Sequence, residues 1–363
     1  SDADILAIGK ETGLIHFVAG FIIPVLALRF ITPWAEIRKN IGFIYLSILA
    51  CTIPYLLLAQ VNYEFPSLVG GGIGLLLSVF FANKGVGLAK TESGDTQVKL
   101  TTGQVLKALA PLGLLMLILV VTRIQQLGIK AMLNDATEWF QFSLGEMGTF
   151  KVSKGLIFSV EDIFRTGVGD SYKLLYTPSL IPFIVTVVLS FFIFRLSWDK
   201  CKDIYLKSAF QMQKPFLALV GAMIMVKLMM IGGQDSMTQI IGKGLANATQ
   251  QYWVSFASYL GALGAFFSGS NTISNVTFGA VQYSVATATG LSVPLILALQ
   301  SVGGAMGNMV CINNIIAGCS VLGIDNAEGS ILKKTVIPML VYGLIAAIVA
   351  PSCNGLIYNL SIY

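Results

Sequence analysis

The sequence predicts an all-α, polytopic helical membrane protein with a re-entrant hairpin and a discontinuous transmembrane helix. Three observations carry that prediction. Of 363 residues, 55% are hydrophobic and 11% charged, and the mean hydropathy is +0.78, a balance met in membrane rather than soluble chains. Apolar runs long enough to cross a bilayer alternate with short Lys/Arg clusters. Finally, no Asp, Glu, Lys, Arg or His occurs between Gly244 and Ile324, yet small polar residues cluster twice within that stretch.

In chain order, the polar stretch Ser1–Glu11 lacks the pattern of a signal peptide, and a start at Ser1 suggests a processed or partial chain. Gly13–Ile31 and Ile41–Ala59 are spans, and Leu68–Phe81 is a short, Gly-rich one that Ala59–Phe65 can extend. Val105–Thr122 spans and ends at Arg123. The segment from Ile124 to Lys173 is the least hydrophobic and reads as short interfacial helices forming a lateral scaffold. Leu174–Phe194 spans, with Pro178 and Pro182 near its start, where helices tolerate proline. Arg195, Lys200, Lys202, Lys207 and Lys214 read as the densest basic loop, placed in the cytoplasm by the positive-inside rule.

From that loop, Phe216–Ile231 crosses outward and Thr335–Ala350 is the last span, so Tyr252–Ser330 must cross an odd number of times. The simplest solution is a hairpin over 252–287, descending to Phe267 and returning from Val276, then one discontinuous crossing over 291–322. The hairpin tip is Ser268–Asn275 and the helix break Ser301–Asn308. Residues 1–214 then form the N-terminal helices and scaffold, and residues 215–363 a C-terminal transport repeat. Both breaks are expected to meet near the midplane, because lipid cannot satisfy freed peptide groups and broken helices belong around a cavity.

Helix ends at that depth offer free N–H groups and a positive dipole end to a small anion without a full charge. Ser270, Asn271, Thr272, Ser274 and Asn275 add hydroxyls and amides on one side. Ser301, Gly303, Gly304, Gly307 and Asn308 stand on the other, the glycines admitting close backbone approach. Two plainer readings compete: the Ser-Gly-Ser-Asn-Thr run as an interhelical turn, and Gly303–Gly307 as a GxxxG packing face. Lys227 and Arg123 are candidate anion partners, against snorkelling for the first and interfacial anchoring for the second. Met223, Met225, Met229 and Met230 read as packing residues.

Five cysteines without metal or redox spacing and a single histidine, His16, argue against a zinc site or disulfide framework. Nucleotide-binding and hydrolase motifs are absent. Neither an enzyme nor a cofactor is expected, and the net charge of +5 belongs to loops rather than to a nucleic-acid surface.

Phe267-Ser268-Gly269-Ser270-Asn271-Thr272-Ile273-Ser274-Asn275-Val276-Thr277-Phe278-Gly279, Ala298-Leu299-Gln300-Ser301-Val302-Gly303-Gly304-Ala305-Met306-Gly307-Asn308-Met309 and Asn313-Asn314-Ile315 resemble the bacterial L-lactate permease family. Weaker echoes are Pro66-Ser67-Leu68 and Ile118 to Arg123, and the likeness covers essentially the whole chain. It implies secondary active symport of L-lactate, and of glycolate, with a proton across the cell membrane. Ser270-Asn271-Thr272 is also similar to hairpin-tip motifs of the wider ion-transporter superfamily, which implies contact with substrate carboxylate and coupling ion and leaves a sodium-coupled carboxylate carrier as an alternative. The family carries a further amino-terminal helix block related by an inverted repeat, which implies a missing N-terminal half, a homo-oligomer, or a non-transporting module that needs a partner chain.

Overall fold

The structure, a computed structural model, describes residues 2–89, 101–123, 127–165, 170–177, 180–232, 235–322 and 327–360. Within these stretches some side chains, those of Arg123 and Lys227 among them, lie outside the described ones. The chain divides into two compact units: Ser1–Glu92 with Gln211–Tyr363, and Ser93–Phe210.

The first unit opens with α1 (Asp2–Gly20), α2 (Ile23–Arg29) and α3 (Trp34–Lys39). The first helix starts well before the predicted Gly13, so the polar residues ahead of that position are helical, and Ala3–Arg29 is long and apolar enough to cross a membrane. After it come α4 (Ile41–Ala59) and α5 (Pro66–Lys84). The glycines of α5 act through close approach. A Cβ at Gly74 would fall 2.6 Å from Cys51 Cβ, and one at Gly70 would fall 2.7 Å from Tyr55 Cβ. Small residues at this spacing let two apolar helices touch backbone to backbone, and α4 is thereby fixed with Cys51, Thr52 and Tyr55 beside α1.

Helices α6 (Thr102–Arg123), α7 (Ile129–Leu133) and α8 (Ile181–Phe194) lie in the second unit. Between α7 and α8 is a four-stranded antiparallel meander: β1 (Glu138–Ser143), β2 (Thr149–Ser153), β3 (Ile157–Glu161) and β4 (Asp170–Lys173). This corrects the expectation of interfacial helices for Ile124–Lys173. The segment alternates aromatic or β-branched residues with polar ones, the two-residue period of a strand, and Gly145 and Gly148, both at positive φ, turn the chain between β1 and β2. Phe142, Phe150 and Phe158 stack across three strands at 5.3 and 6.1 Å between ring centres. On β2, Lys151 bridges Glu161 at 2.8 Å and Glu138 at 3.0 Å. Those hydrogen bonds, Glu161's first, hold its ammonium above the ordinary lysine range.

A second correction concerns the basic stretch after Arg195. It is not a loop but part of α9 (Trp198–Met230), because Trp198–Lys214 contains no Gly or Pro and the Asp203–Lys207 pair, at 2.8 Å, supports the helix at i,i+4 spacing.

The remaining helices are α10 (Met237–Thr249), α11 (Ala257–Ser268), α12 (Asn271–Thr289), α13 (Val293–Gly307), α14 (Ile312–Leu322) and α15 (Glu328–Leu360). The buried core of the first unit gathers Ile15 of α1, Val281 and Val285 of α12, Leu295, Leu299 and Val302 of α13, and Ala346 of α15. By contrast Leu57, Leu76 and Ile348 are largely exposed, as lipid-facing side chains are. Among the described residues six helices are long and apolar enough to span a membrane, so the chain is a multi-pass helical membrane protein.

Candidate functional site at the hairpin tip

The hairpin is present, with its turn set by three residues. Helix α11 ends at Ser268, Gly269 takes the left-handed conformation (φ 70°), and Ser270 is extended and caps α12, its side chain accepting from Ile273 N–H at 3.3 Å. The return helix thus begins at Asn271, five residues before the predicted Val276, and Asn271–Asn275 form its first turns rather than a loop. The cap explains the shift, since a Ser with its hydroxyl on the third following N–H starts a helix at once.

The second break is also displaced. Helix α13 runs through Ser301–Gly307, where the break was expected, and ends at a single 3-10 turn, Asn308–Val310, followed by extended Cys311. Glycine does not unwind α13 because Gly303 and Gly307 face α11 and Gly304 faces Asn271 of α12. A Cβ at Gly303 would meet the Ser258 carbonyl and lie 2.9 Å from Gly261 Cα, and one at Gly307 would lie 2.7 Å from Ala262 Cα. The helix yields at Asn308, whose side-chain amide donates to Gly304 O at 2.9 Å. Hairpin tip and break then meet. A Cβ at Gly269 would fall 3.0 Å from Cys311 Sγ and 3.3 Å from Asn314 Oδ1, and Asn314 in turn donates to Asn308 Oδ1 at 2.9 Å.

Behind the tip a buried neutral network locks the hairpin to α13. Trp253 Nε1–H donates to Gln282 Oε1 at 2.8 Å. The Gln282 amide donates to Ala257 O at 2.8 Å and to Gln300 Oε1 at 2.9 Å. The Gln300 amide donates to Ser274 Oγ at 2.9 Å and Asn275 Oδ1 at 3.4 Å, and the Ser274 hydroxyl donates to Gly261 O at 2.6 Å. Gln282, Gln300 and Ser274 are at most 1% exposed. Sequence reading passed over Trp253 and Gln282, whose only signal is an amide and an indole in a charge-free apolar run.

At the tip lies a cavity of about 580 Å³. Asn271, Ser301 and Ala305 contribute the hairpin and α13 side, while Ile5, Ile8, Gly9, Thr12 and His16 of α1, Cys51, Thr52 and Tyr55 of α4, Tyr63, Pro66, Ser67 and Tyr342 of α15 complete the wall. Among the described residues no carboxylate, Lys or Arg lines it. The Asn271 amide donates to Ser301 O at 3.3 Å, and its Oδ1 rests where a Gly304 Cβ would stand. Two of the lining residues carry a buried atom without a hydrogen-bond partner among the described residues, Asn271 Oδ1 and Thr12 Oγ1. His16 Nδ1 is hydrogen-bonded to the Tyr342 hydroxyl, and the His16 ring stands edge-on to Tyr55 at 6.2 Å between centres.

Of the residues expected at the site, Asn271 and Ser301 line this cavity. Ser270 caps α12, Ser274 and Asn275 join the network, Gly303 and Gly307 pack on α11, Gly304 backs Asn271, and Asn308 ties α13 to α14. Thr272 is exposed. Lys227 and Arg123 are in α9 and α6, with side chains outside the described ones. The wall from α1, α4 and α15 was not anticipated; its faint signal is the i, i+3/i+4 recurrence of Ile5, Ile8, Gly9, Thr12 and His16 along one helix face.

The family model for L-lactate permease matches residues 1–356. The chain belongs to the L-lactate permease family. Its relatives include a provisionally named L-lactate permease of Haemophilus influenzae, 56% identical over 360 residues, covering 99% of this chain and 68% of that protein. The L-lactate permease of Bacillus subtilis is 28% identical over 247 residues, 64% of this chain and 42% of that protein. A glycolate permease of Escherichia coli is 24% identical over 165 residues, 46% of this chain and 29% of its own length. This permease-family chain thus spans about two thirds of the first relative and less than half of the other two. No solved structure matches it significantly.

Proposed function

We propose that this chain carries the carboxylate site of a secondary active transporter that moves L-lactate, and glycolate, together with a proton across the cell membrane, and that residues 215–363 are its transport repeat. One observation carries the reading: a cavity beside the hairpin tip, with no charged side chain among its described lining residues, two of which, Asn271 and Thr12, each hold a buried polar atom with no partner. Orphaned buried polar groups are uncommon and mark a place where a ligand or water completes the bonding. A 2-hydroxy acid brings both kinds of partner, a hydroxyl to donate toward Asn271 Oδ1 and a carboxylate to accept from side-chain donors and from the α12 N-terminus. A lining without a fixed countercharge among the described residues suits a carrier, since on that wall the emptied site leaves no buried charge unpaired.

Ser270, Thr272, Gly303, Gly304, Gly307 and Asn308 support this site by fixing the two helix ends, and the names of the relatives supply the solute class. The test is uptake of labelled L-lactate into proteoliposomes under separate pH and sodium gradients, using the full-length protein. Accumulation driven by an inwardly directed proton gradient is expected. Accumulation driven by sodium alone overturns proton symport, and no uptake under either gradient overturns the transport reading.

A further inference from the structure

Among the described residues of the cavity wall, His16 is the side chain type whose ordinary titration falls between pH 5 and 8, the reference values of tyrosine and cysteine lying above that range. The titratable groups facing it are Cys51 and Tyr55 from α4, Tyr342 from α15 and Tyr63 before α5, while α13 contributes none. Glu11 is buried on another side of α1, with Oε2 unpartnered, and does not line the cavity. On α15, Lys333 and Lys334 are exposed and lie about two turns before Tyr342. Lys10 and Arg29 are likewise outside the wall.

We propose that His16 is the proton-binding group of this carrier and that the Tyr342 hydroxyl transmits its protonation state to the bound carboxylate. The inference rests on the symport reading above. With His16 neutral and its proton on Nε2, Nδ1 accepts from the Tyr342 O–H, and that hydroxyl proton is committed to the bond. Taking up one proton makes both ring nitrogens donors. The bond then reverses, Nδ1–H donating to Tyr342 Oη, and the hydroxyl proton turns toward another acceptor. A carboxylate in the same cavity is such an acceptor. No covalent bond other than the new N–H changes, and imidazolium plus carboxylate sum to zero charge, so the loaded cavity is neutral like the empty one. By linkage, proton and anion raise each other's affinity.

A difference between wild type and a His16 variant makes the idea measurable, His16 being the single histidine of residues 1–363. Full-length protein labelled with ¹⁵N-histidine and purified through a histidine-free tag should show ring signals that disappear in His16→Gln. Their titration midpoint is expected to rise when L-lactate is added, and Tyr342→Phe should abolish that rise while the ring still titrates. In proteoliposomes, a one-unit pH gradient supports about tenfold accumulation for one-to-one symport. His16→Gln should accumulate none, and its lactate exchange, though slower, should lose the pH dependence seen in wild type.

A midpoint indifferent to lactate, or wild-type accumulation by His16→Gln, overturns the proposal. If the midpoint responds to lactate but wild type fails to accumulate it under a pH gradient, proton-linked binding at His16 stands and the symport reading falls.

Discussion

Two sets of buried polar groups lie around one hairpin, and apart from Ser258 Oγ of α11, which is also buried without a partner, they are treated in opposite ways. Behind the tip, Trp253, Gln282, Gln300 and Ser274 spend their hydrogen bonds on one another and on the Ala257 and Gly261 carbonyls. At the tip, Asn271 Oδ1 and, across the cavity wall, Thr12 Oγ1 are buried and unmatched. A satisfied network rigidifies, because every alternative arrangement strands a group where water is scarce; unmatched groups are unstable alone and gain from a ligand. The comparison teaches that this hairpin keeps its construction and its proposed binding surface on separate residues, and substitutions can tell them apart.

The largest effect should come from closing the gap between α11 and α13. Gly303→Val places a branched side chain against the Ser258 carbonyl and Gly261 Cα, neither of which is a flexible side-chain end. Little or no monodisperse protein is expected by size-exclusion chromatography in detergent. Recovery of normal amounts of folded protein would mean the two helices are not held at this distance.

Next in size is Gln282→Leu, which fills a similar volume but strands Trp253 Nε1 and Gln300 Oε1 and leaves the Ala257 carbonyl with its helix bond alone. Each orphaned buried group costs about 1–3 kcal/mol, so a clear fall in melting temperature should accompany reduced yield. The lactate concentration for half-maximal uptake, measured on whatever protein remains folded, should change little. A variant that keeps its melting temperature and loses affinity would place Gln282 on the substrate, contrary to the division drawn here.

How far these features are legible in the sequence follows from the same physics. The hairpin and the helix break announce themselves because Ser, Gly and Asn cluster in a run that carries no charge, and such groups at membrane depth need a partner. Their exact register did not, since Asn271–Asn275 look like turn formers and only the Ser270 hydroxyl, bonded to Ile273 N–H, makes them helical. Gly303 and Gly307 are ambiguous in sequence because a close helix contact and a close ligand contact demand the same missing Cβ. The far wall of the cavity is nearly invisible. Thr12 and His16 border an apolar run without a motif, and Tyr342, which bonds to His16, is 326 residues away. The meander at 138–173 was hidden by a different cause: its low hydrophobicity suggested surface helices, while the signal was the period of alternation, as in Trp139-Phe140-Gln141-Phe142-Ser143.

Asn271→Ala carries the binding half of the comparison. Folding should be nearly untouched, since the Asn271 amide makes a single long bond, to Ser301 O at 3.3 Å, and its Oδ1 makes none. Losing a hydrogen bond between the substrate hydroxyl and the neutral Asn271 Oδ1 is worth about 0.5–1.5 kcal/mol, so the half-saturating lactate concentration should rise about two- to tenfold. Unchanged uptake with unchanged stability would reduce the tip to a turn.

Ser301→Ala should give the smallest response and discriminates most finely. Both residues line the cavity, and the link between them uses the Ser301 main-chain carbonyl rather than its hydroxyl. Alanine retains that carbonyl and the helix around it, so Asn271 keeps its anchor. The half-saturating concentration should therefore shift by less than about threefold, under 1 kcal/mol. An effect matching that of Asn271→Ala would mean that the hydroxyl itself touches the carboxylate. The binding surface would then extend along α13, and Thr12, rather than Ser301, would become the side chain to test as the spare polar group of the wall.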